Sequence, residues 1–385
     1  MQRIKKEAID LLCQLIRIPA YSRDEKAKAD FLQQHIEKTM GFKTNRLDNN
    51  IWIQSAEFRD DRPTLLLNAH IDTVKPVNGW QREPHTDTHE DGRIYGLGTN
   101  DDGASLVSLL YAFSVLSKKE QPYNLIYAAS AEEEVSGKNG MEKLLTVLPK
   151  IDVAIVGEPT GMHAAVAEKG LMVLDCVAHG KAGHAARNEG DNAIYKAIKD
   201  IEWIKDYVLP KQTDLLGPVK WTTTMVNAGT QHNVIPDACS FVVDIRSNEC
   251  YSNEEIFEIL QTKLQSEIKA RSFRLSSSSI SVDHPIVKKI KSMGRNLFGS
   301  PTLSDQALMR FPSVKFGPGD SSRSHTADEY IVESEIEEAI EMYVNLLDGL
   351  EIEKRKKKKN EKIYLMLENA ISIEQSKAQE DEFVV

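Results

Sequence analysis

Thr64-Leu65-Leu66-Leu67-Asn68-Ala69-His70-Ile71-Asp72-Thr73, residues 64–73, is the stretch from which the fold is read. From Thr64 to Ala69 it is an apolar run of strand length without alternation, so both of its faces must be covered. It ends on a histidine placed two residues before an aspartate. Two runs of the same kind follow, NLIYAAS (124–130) and DVAIVG (152–157). A helical pattern, ASLVSLLYAFSVL (104–116), separates the first two runs, and GMEKLLTVL (140–148) separates the last two. This alternation predicts an α/β domain whose central sheet is flanked by helices.

Before this block, MQRIKKEAIDLLCQLIRI spaces apolar residues helically with charge throughout, which predicts an amphipathic helix and not a secretory signal. After Lys169-Gly170 the pattern changes. LMVLDCVAHG, WTTTMVNAG and CSFVVDIRS read as strands. Helices are expected from Asn192 to about Val208, and from an N-cap at Asn253 to about Lys269. From Pro285 the first pattern returns, with a helix at 286–298, a strand at SVKFG (313–317) and a last helix opened by the capping box Ser334-x-x-Glu337. The expected organisation is a catalytic domain in two pieces, 1–168 and 285–349, interrupted by a smaller α+β domain at 169–284. A charged tail at 350–385 opens on the basic run Lys354 to Lys359 and is expected to be a solvated helix or disordered.

With 385 residues, 41% of them hydrophobic, the chain has room for two folded units and a tail. A formal net charge of −10 argues against nucleic acid as a partner, since phosphate binding needs a basic face. Cys13, Cys176, Cys239 and Cys250 form no C-x-x-C pair, so small core residues in a reducing, cytoplasmic setting are expected. No apolar run approaches the ~18 residues of a membrane span, and no membrane partner is expected.

The chemistry collects at the ends of the strands, where open α/β sheets place ligands. His70 can offer one ring nitrogen to a metal while Asp72 holds the other ring N–H; a structural histidine is the alternative for this motif taken alone. Gly96-Leu97-Gly98-Thr99-Asn100-Asp101-Asp102-Gly103 resembles a phosphate loop only superficially, because aspartates stand where a pyrophosphate would lie. Asp101 can bridge two cations there, or Asp101 or Asp102 can cap the helix that follows. Glu132-Glu133-Glu134 crowds three carboxylates after an apolar strand, either as a solvated acidic turn or as a metal ligand beside a general base. Glu158 follows DVAIVG, and Gly317-Pro318-Gly319-Asp320 leads into His325. Five strand-to-loop junctions each supply a histidine or a carboxylate and none supplies cysteine, a donor set that suits zinc, cobalt or manganese. His85 and His89 lie in the polar loop HTDTHEDG and are expected to be solvated.

The ordered motifs H-x-D-T, G-x-G-x-x-D, E-E-E, G-E-P-T and a late G…H resemble the di-zinc aminoacylase, carboxypeptidase G and acetylornithine deacetylase family over residues 1 to about 349. The resemblance implies a zinc-exopeptidase-like catalytic domain with a central mixed sheet and an inserted lid and dimerisation domain. It implies two divalent ions, zinc with cobalt or manganese as alternatives. Asp101 would bridge them, His70 and Glu158 would complete one site, and Glu134 and His325 the other. Glu133 would be the general base and Asp72 the partner of His70. In the inserted domain, His184 of Gly180-Lys181-Ala182-Gly183-His184-Ala185 resembles a histidine that reaches the active site of the partner in a homodimer. Asn233 and Arg246 resemble residues that approach the substrate and its carboxylate.

Two features depart from the family pattern: Asp102-Gly103 replaces the usual methionine and lysine, and His85 replaces an aromatic residue. Glu168-Lys169-Gly170 is similar to the acetylornithine deacetylase pattern, and the implied reaction is removal of the acetyl group from N-acetyl-L-ornithine in arginine biosynthesis. Desuccinylation of an N-succinyl amino acid, di- or tripeptidase and carboxypeptidase action, and a non-catalytic metal-binding scaffold of the same fold are the alternatives.

Overall fold

The computed structural model describes residues 1–187 and 189–355. Most of the expected charged tail, from Lys356 onward, lies outside the described residues.

The Thr64–His70 strand is buried along its whole length and lies in the interior of a nine-stranded sheet. Leu65, Leu67 and Ala69 pack into one hydrophobic cluster, with the helices Gln2–Ile16, Ala104–Leu116 and Glu333–Leu347. Leu66 faces the opposite way, into a second cluster with Trp52, Ile126, Met141 and Leu144. An uninterrupted apolar run is what a strand buried on both faces requires. Four adjacent strands are parallel, in the order Asn124–Ser130, Thr64–His70, Val153–Val156, Ser313–Lys315. Outside them Asn50–Gln54 and Ala164–Glu168 run antiparallel, which makes the sheet mixed.

Several boundaries differ from the expected ones. The segment 140–148 forms short turns rather than one full helix, and it begins at Gly140, whose backbone is non-helical (φ −86, ψ −130). A Cβ at Gly140 would stand 1.9 Å from the Ala131 carbonyl oxygen, so only glycine permits this approach. The helix expected to run to Lys269 is Asn253–Lys263, capped by Ser252 in a capping box with Glu255. It stops where the Asp200 carboxylate accepts the N–H groups of Gln265 and Ser266. Residues Glu267–Ala270 then form a strand. The helix expected at 286–298 is Pro285–Ser292, and Leu297–Ser300 is a strand beside Ala164–Glu168. The last helix begins at Glu333, one residue before the expected Ser334 box, and Glu335 accepts the N–H of Val332.

A separate antiparallel sheet orders Lys220–Ala228, Ala238–Arg246, Met172–His179 and Glu267–Ala270. Together with the helices Ala193–Asp206 and Asn253–Lys263 it encloses its own hydrophobic cluster. The chain is back in the large sheet at Ser278–Ser279, which pairs with Ala164–Glu168. Among the described residues no helix is long and apolar enough to cross a membrane.

Candidate metal centre

The four parallel strands all release their loops at the same edge of the sheet. His70 ends one strand, Glu133 and Glu134 follow a second, Glu158 follows a third, and the loop to His325 follows the fourth. Asp101 arrives from the turn before the helix Ala104–Leu116. Parallel strands point every carboxyl end the same way, so residues up to 255 positions apart in sequence meet there.

His70 Nε2 lies 3.1 Å from Asp101 Oδ1 and 3.9 Å from Glu133 Oε2. His325 Nε2 lies 2.9 Å from Glu134 Oε2 and 3.7 Å from Asp101 Oδ2. Donor atoms of His70, Asp101 and Glu134 gather within 4.8 Å of one another, as do those of His70, Glu133 and Glu158. His70 is common to the two groupings, and Asp101 reaches both histidines, His70 through Oδ1 and His325 through Oδ2. Burial pushes the Glu133 and Glu158 carboxyls well above the ordinary range, and their acidic neighbours push further. Burial opposes a charged His70, yet Asp101 and Asp72 outweigh it and hold the imidazole well above its usual value. His325 is pushed up to about 9, chiefly by its bond to Glu134. Buried carboxylates this crowded call for cations, and oxygen and imidazole donors without sulfur fit two divalent ions.

His70 turns Nε2 towards Asp101 and Nδ1 towards Asp72, whose backbone carbonyl is the nearer acceptor. Its Nδ1 lies 3.0 Å from the backbone carbonyl of Asp72, while the Asp72 carboxylate is 3.5 Å away. That carboxylate instead accepts the N–H groups of Glu133 (3.0 Å) and Glu134 (3.2 Å) and the hydroxyl of Ser22 (2.7 Å). Asp72 therefore fixes the turn that carries the acidic pair, which its spacing from His70 does not reveal.

Glu329 was not foreseen from the sequence. Its buried carboxylate accepts the N–H groups of Gly98 (3.0 Å), Asn100 (2.9 Å) and Asp101 (2.9 Å). Burial and the charge of Asp101 push it up to about 8. Only its position shortly after His325 offered a hint. Gly319 (φ +87) closes the same loop, where a Cβ would meet Asn100 Oδ1 at 2.3 Å. The Asp101–Asp102 peptide is cis.

The centre opens into a pocket of about 550 Å³ lined by Asp101, Glu133, Glu134, Glu158 and His325 on one side. Ser300, Thr302, Ser321, Ser324 and Lys315 also line it. Lys315 is buried and paired with Glu168 at 2.8 Å. His184, Asn233 and Arg246 do not line this pocket. His184 is exposed on the short strand Gly183–His184, which pairs with Val234–Ile235, and Ala185 donates to the Asn233 carbonyl. Both candidates therefore lie at one two-stranded ribbon, paired separately from the four-stranded sheet. Arg246 ends a strand of that sheet and is held by Asp244 through two bonds of 2.8 and 3.1 Å. His85 and His89 are not merely solvated: His85 bonds to Tyr21 at 2.9 Å, and His89 to Glu333 at 3.0 Å.

A family model described as peptidase family M20/M25/M40 matches residues 66–349. A putative succinyl-diaminopimelate desuccinylase of Mycobacterium tuberculosis is 26% identical over 364 residues, covering 91% of this chain and 100% of that protein. An acetylornithine deacetylase of Proteus mirabilis is 27% identical over 308 residues, covering 74% of this chain and 79% of the relative. A Bacillus subtilis protein described as a dinuclear metal binding peptidase from the M20 family superposes with a TM-score of 0.69 at 16% identity, covering 91% of this chain and 100% of that one.

Proposed function

Since the chain belongs to the M20/M25/M40 peptidase family and is a metal-dependent amide hydrolase, we propose that it removes the acyl group from an N-acylated amino acid, N-acetyl-L-ornithine first among them, releasing ornithine and acetate. The observation that carries this reading is the gathering of Asp101, Glu133, Glu134, Glu158 and His325 on the lining of one pocket, with the buried His70 directly behind Asp101 at 3.1 Å. Asp101 would be shared by two divalent ions, zinc in the first place. His70 and Glu158 would hold one of them, and Glu134 and His325 the other. When bound, such ions polarise an amide carbonyl and acidify water.

The chain's own groups do the rest. Glu133 takes the proton of the attacking water and passes it to the leaving amine, a task that a carboxyl raised by burial suits. Asp72 keeps that carboxylate in place through the Glu133 N–H. Asp320 at the pocket rim is a counter-charge for the ornithine side chain.

A second reading, removal of a succinyl group, draws on Lys315. This cation lines the pocket, and its contacts with Ser300 and Thr302 are long, at 3.3–3.4 Å. An acyl chain ending in a carboxylate would find a partner there.

In the proposed organisation, residues 169–284 form a lid and a dimerisation unit. The edge strand Lys220–Ala228 exposes Met225 and Val226, and the helix Ala193–Asp206 exposes Tyr195 and Ile198. Two copies joined through these residues would cover the apolar surface and the open edge together. His184, standing on an exposed tip, would then serve the pocket of its own or the partner chain, with Asn233 and Arg246 meeting the substrate.

The test is hydrolysis of N-acetyl-ornithine and N-succinyl amino acids by the purified protein loaded with zinc or cobalt, beside Glu133→Gln. Parent turnover should exceed that of the variant by about 10²–10⁴. Equal inertness of both proteins towards a panel of N-acyl amino acids and dipeptides, at full metal load, refutes the assignment.

A further inference from the structure

A second group of donors lies away from the pocket, where the helix Gln2–Ile16 meets the segment 85–92, which carries the short strand Thr88–Glu90, and the start of the last helix. Cys13, Asp87 and His89 bring one donor atom each within 4.8 Å of one another. Cys13 Sγ is 3.5 Å from His89 Nε2, and that nitrogen is 3.6 Å from Asp87 Oδ2. Tetrahedral zinc, with bonds of about 2.3 Å to sulfur and about 2.0–2.1 Å to nitrogen or oxygen, requires edges of about 3.5 Å and about 3.4 Å. The observed separations lie within a few tenths of an ångström of these.

The surroundings are arranged as in a metal site. His89 Nδ1 lies 3.0 Å from Glu333 Oε1, an acceptor that fixes the tautomer and turns the Nε2 lone pair towards Cys13 and Asp87. Both Asp87 oxygens accept from Arg17, at 2.5 and 2.9 Å, which fixes the carboxylate and leaves its remaining lone pairs for an ion. A divalent ion together with Arg17 would balance a Cys13 thiolate, Asp87 and Glu333. Half of the His89 side chain is exposed, which leaves solvent access for a fourth ligand.

We propose that Cys13, Asp87 and His89 form a third, thiophilic metal site that takes zinc or a similar divalent ion, with Glu333 orienting the histidine. Binding releases the Cys13 thiol proton to solvent and closes a four-membered coordination shell with water. The ion then ties the N-terminal helix to the segment 85–92 and, through His89 and Glu333, to the last helix. Without it the buried thiol, pushed up to about 12 by burial and by Asp87, stays protonated and inert.

Cobalt(II) separates this site from the pocket, because only here does sulfur contribute. The full chain is titrated with cobalt, its metal content counted and its near-ultraviolet spectrum recorded. Three ions per chain and a thiolate-to-cobalt charge-transfer band are expected. Cys13→Ser should lose both the band and the third ion, and Glu333→Gln should bind that ion about 10–100-fold more weakly. Thermal unfolding of the parent, but not of Cys13→Ser, should rise as the third equivalent is added. Two ions without the band, or a band that survives Cys13→Ser, overturns the proposal. If Cys13→Ser fails to fold by circular dichroism, His89→Ala, altered at a half-exposed ring, gives the same discrimination.

Discussion

Lys28 is a cation buried in the protein, and replacing it by methionine has a calculable consequence. It lies on the helix Lys26–His35 with 6% of its surface exposed, beside a small cavity it shares with His70, Asp72 and Gly98. Among the described residues its ammonium makes no hydrogen bond or ion pair; Asp72, Glu329 and Glu25 act on it only at longer range. Burial outweighs these carboxylates and lowers its pKa from 10.5 to about 8. At 1.36 kcal/mol per unit, holding the charged form costs the folded state about 3 kcal/mol. At neutral pH that cost is fully present, because both folded and unfolded chains are protonated. Between about pH 8 and about 10.5 the unfolded chain keeps the proton that the folded chain has given up, so the parent gains stability as pH rises. Lys28→Met, nearly equal in volume, carries no such cost. The variant should therefore unfold several degrees higher than the parent at pH 7, and the gap should close across that window. Thermal unfolding of both proteins at equal metal load, followed from pH 6.5 to about 10.5, reads this directly. A gap independent of pH, or a variant less stable than the parent at pH 7, would refute the reasoning.

Three further outcomes are expected. Glu329→Ala leaves the buried N–H groups of Gly98, Asn100 and Asp101 without their acceptor, at about 1–3 kcal/mol each, so calorimetry should show a lower midpoint and metal titration a weaker uptake. Removing metal with a chelator exposes the repulsion between Glu133 and Glu158. Their folded pKa values lie above the ordinary 4.5, so the metal-free protein should lose stability as pH rises, and the gap to the metal-loaded form should be wider at pH 8 than at pH 5.5. Lys315→Met should lower kcat/KM for N-succinyl substrates far more than for N-acetyl ones if the cation meets a carboxylate; an equal effect on both removes the basis of the second reading.

Local sequence was sufficient for the elements whose signals are local. The Thr64–His70 strand declared its burial by lacking alternation, and the helix Ala104–Leu116 matches its apolar pattern end to end. Four of the cage candidates could be picked out because they follow an apolar strand run, and Asp101 because it immediately precedes the apolar helix Ala104–Leu116; topology then brings these places together. Long-range bonds erased other signals. The helix from Asn253 gives way to a strand because Asp200, distant in sequence, captures the N–H groups that would continue it.

The same reason explains what only the tertiary structure decided about the site. Asp72 supports the Glu133–Glu134 turn rather than chiefly the imidazole, and Glu329 holds the Asp101 loop from 228 residues away. His89, which reads as a loop histidine, lies on the short strand Thr88–Glu90, paired with Arg93–Tyr95, and meets Cys13 of the helix Gln2–Ile16 across 76 positions. Residue type and its place at a strand end determine which chemistry is on offer. Which backbone N–H a carboxylate accepts, and which thiol an imidazole faces, depends on how separate elements pack, and local spacing carries no record of that.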